Sequence, residues 1–263
     1  MTPMMRTCVS AALVTWIVAA PAWAGQPLEA ETARIAPRGT LLLEAGVEHQ
    51  TSGDGQETHV PIAIEYVPFN RFEVLVEPVL RSQIRTPGQP TVSGIGDVEV
   101  TASVLARLET ARDPAVAFAG EVKLPTAENR LIGSDKPDYA GYIIASKRFG
   151  HFDTHANLSY TIVGRPPGIQ AQNVGGFALA TELSRGRIVY VAEVLGSTAA
   201  LAGNENPSPG GAESTTAPEI GGAELVGTLG ARYAVTRVFV FSLGVSYDYN
   251  NAVLIHPGLA IRL

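Results

Sequence analysis

Cysteine is almost missing from this sequence: Cys8 is the single one in 263 residues. Everything downstream of it is therefore without a disulfide framework, a thiolate metal centre or a cysteine nucleophile. Long apolar runs are missing too, since no stretch reaches the ~18 residues that a membrane-spanning helix needs. A membrane protein built from this chain has to be a closed barrel, the other fold that satisfies every backbone group in lipid.

Basic charge is also in short supply. Arg6 precedes the apolar run Ala11–Ala20, which is followed by Pro21 and the small-residue ending Ala22-Trp23-Ala24. This is the pattern of a secretory signal peptide over residues 1–24, cleaved before Gly25, and the run is too short for an uncleaved anchor. Cys8 lies too early in it to be a lipoprotein acylation site. Taking Arg6 from the 19 basic residues leaves 18 against 25 acidic ones, a formal charge of −7. Nucleic acid is disfavoured as a partner.

What the chain has in abundance is two-residue alternation. The clearest case is VPIAIEYVPFNRFEVLVEPVL, residues 60–80, where Val60, Ile62, Ile64 and Tyr66 alternate with His59, Pro61, Ala63 and Glu65. After the turn at Pro68-Phe69-Asn70, Phe72, Val74, Val76, Pro78 and Leu80 alternate with Arg71, Glu73 and Glu77. This is a β-hairpin with an unbroken apolar face and a fully charged one, so its two faces meet different solvents.

The same grammar recurs along the chain. Residues 25–39 form an N-terminal tail without strand period, placed either on the periplasmic side or inside the lumen, and strands begin at Thr40. Alternating segments follow around 40–48, 60–66, 72–80, 98–106, 116–124, 139–148, 152–162, 174–183, 187–196, 225–233, 239–247 and 253–263. The faces of 139–148 cannot be assigned from the pattern. The stretch Ser197–Ile220, rich in Pro, Gly, Ser and Glu, cannot bury a core of its own and is read as a long outer loop.

Twelve strands over a mature chain of 239 residues allow about 20 residues per strand and connection, compatible with membrane strands of roughly 9–11 residues. Connections alternate short and long, as periplasmic turns and extracellular loops do; the first, around Thr51–Gly55, is counted with the long ones, and the last, at Asn250-Asn251, breaks the alternation by being short. Tyr66, Phe69, Phe72, Phe149, Phe152, Tyr233 and Phe239 fall near the short-turn ends, where an interfacial aromatic girdle sits. A soluble β-sandwich also alternates, but it would need large core aromatics and protected edges in place of charges on most strands. The expected fold is an all-β, transmembrane, antiparallel up-and-down barrel of about twelve strands, covering residues 40–263.

Three stretches carry a resemblance. Gly94-Ile95-Gly96-Asp97 opening a strand, Glu121-Val122-Lys123-Leu124-Pro125-Thr126 closing the next, and the ending GTLGARYAVTRVFVFSLGVSYDYNNA resemble the outer-membrane protein family of the MetA pathway of phenol degradation. The likeness spans most of the mature chain, although Leu263 stands where outer-membrane barrels usually end on Phe or Trp. It implies a porin-like barrel in the outer membrane of a Gram-negative bacterium that takes up aromatic or other small organic molecules. Its partners would be outer-membrane lipid, lipopolysaccharide and a small organic solute. The alternative is a closed structural or adhesive barrel with no transport role.

No catalytic centre, cofactor or metal site is assigned. Gly94-x-Gly96 precedes a strand and lacks the third glycine of a nucleotide loop. His155, Asn157 and Ser159 share an inward face, whereas an outer-membrane lipase needs its triad at the lipid edge. His49 and His59 could meet, but no Cys or paired carboxylate supports a metal there. The candidate pore-lining residues are Glu44, Glu48, Glu65, Glu73, Glu77, Asp97, Glu99, Glu121, Lys123, Arg232 and Arg262. Arg71, Arg81 and Arg107 are read as inward companions of the first seven. The acid excess predicts either a cation-selective, water-threaded lumen or a salt-bridged plug to which residues 25–39 contribute.

Overall fold

The computed structural model describes residues 26–166, 171–200, 224–249 and 251–263. Residues 1–25, on which the expected leader falls, residues 167–170, residues 201–223 of the expected long loop and Asn250 lie outside the described residues. The described strands are β1 (Leu41–Gly46), β2 (Glu48–Ser52), β3 (Gly55–Phe69), β4 (Phe72–Arg85), β5 (Val92–Gly94), β6 (Val98–Arg107) and β7 (Ala115–Leu124). They continue with β8 (Asp138–Phe149), β9 (Phe152–Ile162), β10 (Val174–Arg185), β11 (Ile188–Ser197), β12 (Glu224–Ala234), β13 (Phe239–Asp248) and β14 (Val253–Arg262).

All pairings are antiparallel; β1 and β2 each pair with β3 on one side and β14 on the other, which closes the sheet, and β4 pairs with both β5 and β6. These segments amount to a closed barrel of 12 strands, because β1 with β2, and β5 with β6, are each one strand interrupted. The β1–β2 break has a local cause: Pro257 on β14 has no N–H to give to the ladder, so Val47 keeps only its own bond to the Pro257 carbonyl at 3.0 Å.

Burial is inverted relative to a soluble sheet. The outward residues are large and apolar, with Leu229 70% exposed, Leu158 61% and Leu179 55%. Their inward neighbours Thr228, Asn157 and Ala178 are buried. Such an exterior is stable only against hydrocarbon. On β8 the structure supplies the missing assignment: Tyr139 and Ile143 face out, whereas Ile144 and Ser146 are buried inside. Tyr66, Phe69, Phe149, Phe152, Tyr233 and Phe239 are all exposed at the end of the barrel that holds the short turns, and Phe69 and Phe72 flank one turn with rings 6.3 Å apart.

The first connection departs from the expectation. Ser52 pairs directly with Gly55, so Gly53-Asp54 is a tight turn and not a long loop. The reason is that Gln56–His59 continue β3 although both faces are polar, which extends the strand beyond the apolar band where alternation is not required. Gly55 allows the close approach: a Cβ there would meet the Arg85 carbonyl, and its φ is +149°.

Candidate functional site

Residues 26–36 run inside the barrel and take part in none of its strands. The chain enters from the short-turn end, where Gly39 donates to the Val67 carbonyl at 2.8 Å, and Gln26 reaches the middle of the wall between Gly46 and Gly258. An extended peptide without strand partners has bare N–H and C=O groups, and each must be satisfied by something else. Here inward side chains of the wall do it.

Arg232 Nε on β12 donates to the Gln26 carbonyl at 3.1 Å. Glu193 on β11 accepts the N–H groups of Glu29 at 3.1 Å and Ala30 at 2.6 Å. The Asn157 amide on β9, oriented to satisfy both of its ends, accepts the Glu31 N–H at 2.6 Å and donates to the Glu31 carbonyl at 3.1 Å. Ser146 Oγ on β8 accepts the Ala33 N–H at 2.9 Å. Ser146 also bonds His155 Nδ1 at 2.8 Å, His155 Nε2 lies 3.8 Å from Glu182, and Glu182 takes Arg232 at 2.9 Å. One continuous polar network thus grips the tail from β8 round to β12. His155 belongs to it through Ser146, not through Ser159.

Apolar packing follows the same side. Leu28 and Ala30 are buried against Ala178, Ala180, Val191, Leu195 and Val226, and Ala33 against Leu105, Ala115, Ala117 and Ile144. Burying a leucine side chain stabilises by about 2 kcal/mol. At the tip, inward glycines make the room: a Cβ on Gly230 would lie 2.6 Å from the Pro27 ring, and one on Gly258 2.9 Å from Gln26 Oε1. At the short-turn rim Arg34 binds Glu109 at 2.7 Å and Asp153 at 2.5 Å, with Arg148 on the other oxygen of Asp153 at 2.7 Å. Burial works against ionisation of Glu109, but the Arg148 N–H and the Arg34 guanidinium outweigh it and hold the carboxyl below its ordinary value.

The opposite side of the tail is different. Leu28-Glu29-Ala30-Glu31 alternates, so when Leu28 and Ala30 pack on β10–β12, Glu29 and Glu31 point away. They face a cavity of about 70 Å³ lined on the wall side by Glu44, Glu48, Glu65, Glu73 and Glu77, with no Lys or Arg in its lining. Gln26 bridges the two sides, donating from Nε2 to Glu48 at 2.9 Å. Burial, then Glu48, Glu193 and Glu77, push the Glu29 carboxyl well above its usual range. Burial, then Glu65, Glu121 and Glu44, push that of Glu31 up to about 7.

The other candidate pore residues are distributed more widely. Glu121 accepts from the Tyr142 hydroxyl at 3.0 Å, and Lys123, 2% exposed, pairs with Asp138 at 2.6 Å. Asp97 holds the loop after β7, its Oδ1 accepting the N–H groups of Thr126 and Ala127 at 2.8 Å each. Glu99 is buried on the inward face of β6, and Arg262 lies on β14 near Glu65. Arg71, Arg81 and Arg107 are not inward companions: all three are exposed, Arg71 in the β3–β4 turn and Arg107 paired with Asp113 at 3.2 Å in the β6–β7 turn. A bulge at Leu105–Arg107 shifts the alternation there. Among the described residues, no group of three or more His, Cys, Asp or Glu is placed to hold a metal ion.

No family model and no curated protein matches the sequence. Solved structures do match in fold. The COG4313 outer membrane channel from Pseudomonas putida F1 superimposes with a TM-score of 0.62 at 13% identity, over 88% of this chain and 98% of that one. The NanC porin gives 0.57 at 10% identity, over 84% and 100%. The KdgM porin in complex with disordered oligogalacturonate gives 0.53 at 9% identity, over 83% and 98%. At these identities the likeness establishes a shared outer-membrane barrel fold.

Proposed function

We propose that this chain is an outer-membrane channel for small organic solutes, delivered by a leader cleaved after Ala24 and closed at rest by residues 26–36. The observation that carries this reading is a barrel with an apolar exterior, a carboxylate-lined interior, and a peptide in the lumen that takes part in none of its strands. The fold shared with two porins and an outer-membrane channel supports it. The likeness to the MetA-pathway family favours aromatic cargo, and the acid wall disfavours anions such as the oligogalacturonate held by KdgM.

The tail also favours a second reading, a closed structural or adhesive barrel, because the 70 Å³ left beside it is about half of what a benzene-sized molecule fills. Planar-bilayer recording of the mature protein and of a variant lacking residues 26–36 separates the two. The channel reading expects a steady conductance after deletion and faster liposome swelling with neutral aromatics than with organic anions. A non-conducting deletion variant would leave the structural barrel.

A further inference from the structure

The tail is bound asymmetrically. From Leu28 to Arg34 its backbone and apolar side chains are held by β6–β12, while toward β1, β3 and β4 Glu29 and Glu31 meet a wall that carries Glu44, Glu65, Glu73 and Glu77. At the rim the peptide turns at Gly39, whose φ of +86° suits glycine and whose N–H is tied to the Val67 carbonyl at 2.8 Å, so the tail swings from a fixed point at the short-turn end. The cavity beside the docked tail, about 70 Å³, is too small for an organic solute. On the channel reading a solute taking this path needs the tail to leave.

We infer that residues 26–36 are a proton-controlled plug, docked while Glu29 and Glu31 carry protons and driven out of the lumen when they ionise. The inference rests on the channel reading. The groups that meet these two carboxyls make the sign plain. Glu44 of β1, Glu48 of β2, Glu65 of β3, Glu73 and Glu77 of β4, Glu121 of β7 and Glu193 of β11 are all carboxyls, so none of them offers a countercharge. The cations nearby already have carboxylates: Arg232 pairs with Glu182, Lys123 with Asp138, Arg34 with Glu109 and Asp153, and Arg262 lies beside Glu65. His155 of β9 and His256 of β14 are bonded to Ser146 and Ser246. A negative charge on Glu29 or Glu31 thus meets a wall of carboxyls and cations already engaged with other acids.

Linkage gives the pH window. A carboxyl whose docked value lies above its free value favours docking below the free value and loses that contribution as pH rises through the docked one. For Glu31 the window runs from 4.5 to about 7, and within it docking weakens by up to about tenfold per pH unit. Glu29 acts in the same direction.

Three proteins in planar bilayers test this between pH 5.5 and 8.5: the full mature chain, its Glu29→Gln/Glu31→Gln variant and the variant lacking residues 26–36. The full chain is expected to open at least about tenfold more often at the alkaline end. The double variant should stay closed throughout, and the deletion variant should conduct throughout. A disulfide from Ala33→Cys with Ser146→Cys should hold the channel closed at every pH until reduced. A full chain that ignores pH or opens on acidification, beside a conducting deletion variant, overturns the plug control and leaves the channel reading intact. A double variant that keeps the response overturns the assignment to these carboxyls. A deletion variant without conductance overturns both readings together.

Discussion

The Glu193 carboxylate on β11 accepts the N–H of Ala30 at 2.6 Å, so a barrel side chain stands in for the neighbouring strand that the tail does not have. The same carboxylate takes the N–H of Glu29 at 3.1 Å. Replacing it by leucine strands two buried donors, at about 1–3 kcal/mol each, while Glu193→Gln keeps one acceptor and should cost less. Amide hydrogen exchange reads this directly. Glu29 and Ala30 should lose protection by at least about tenfold in Glu193→Leu with the strand amides unchanged; uniform loss along β11 would instead mean that Glu193 supports the wall.

Arg34 is the latch at the other end of the tail. Its guanidinium joins the β6–β7 turn, through Glu109, to β9, through Asp153. Charge-assisted bonds of this kind contribute about 1–2 kcal/mol when partly buried, and Arg34→Gln should weaken docking by roughly that amount. The barrel should keep its heat-modifiable mobility while its spontaneous openings become about tenfold more frequent. A variant as quiet as the parent would show that the hold lies wholly deeper in the lumen.

Much of this architecture was legible because a barrel in lipid writes its register into the sequence. Every second residue must be apolar wherever a strand crosses hydrocarbon, and Leu225, Leu229 and Tyr233 against Glu224, Thr228 and Arg232 follow that rule. Where the constraint lapses, the reading lapsed with it. Gln56–His59 extend β3 with polar residues on both faces, and the alternation gives no sign of strand before His59. Arg107 falls on the inward phase of the pattern yet is exposed, because a bulge leaves no trace in composition. The tail was harder still: Leu28-Glu29-Ala30-Glu31 is too short a pattern to stand out, and its partners are scattered over β8–β12. Gly46, Gly244 and Gly258 on inward faces were the one visible sign that something must come close to the wall.

The lipid-facing assignment makes a sharp contrast between adjacent residues. Leu229, 70% exposed near the middle of β12, should lie in hydrocarbon, and Thr228 beside it faces the lumen. Arginine at a midplane lipid-facing site costs about 2–4 kcal/mol. Leu229→Arg should therefore lower stability by that amount in a reversible folding titration in lipid, while Thr228→Ser, which keeps the hydroxyl bonded to Ser246 at 2.8 Å, should stay within about 0.5 kcal/mol. Equal tolerance would place water on both sides of β12.

Charge selectivity tests the acid wall independently of what the tail does. In the variant lacking residues 26–36, Glu29 and Glu31 are gone, and Glu44, Glu48, Glu65, Glu73 and Glu77 remain on one side of the path. Fixed carboxylates in a narrow, partly dehydrated lumen raise the local cation concentration and exclude anions, an effect that fades as added salt shortens the screening length from about 10 Å at 0.1 M to about 3 Å at 1 M. Reversal potentials in a KCl gradient should accordingly show cation preference at low salt. Glu44→Gln/Glu48→Gln/Glu77→Gln should reduce it several-fold without closing the pore, since amides of the same size preserve the bore. Of the nearby cations Arg232 is already bonded to Glu182, so removing these acids should move the pore toward neutrality and not to strong anion preference. Anion selectivity in the unsubstituted deletion variant would mean that ions pass along a different part of the lumen from the glutamate wall.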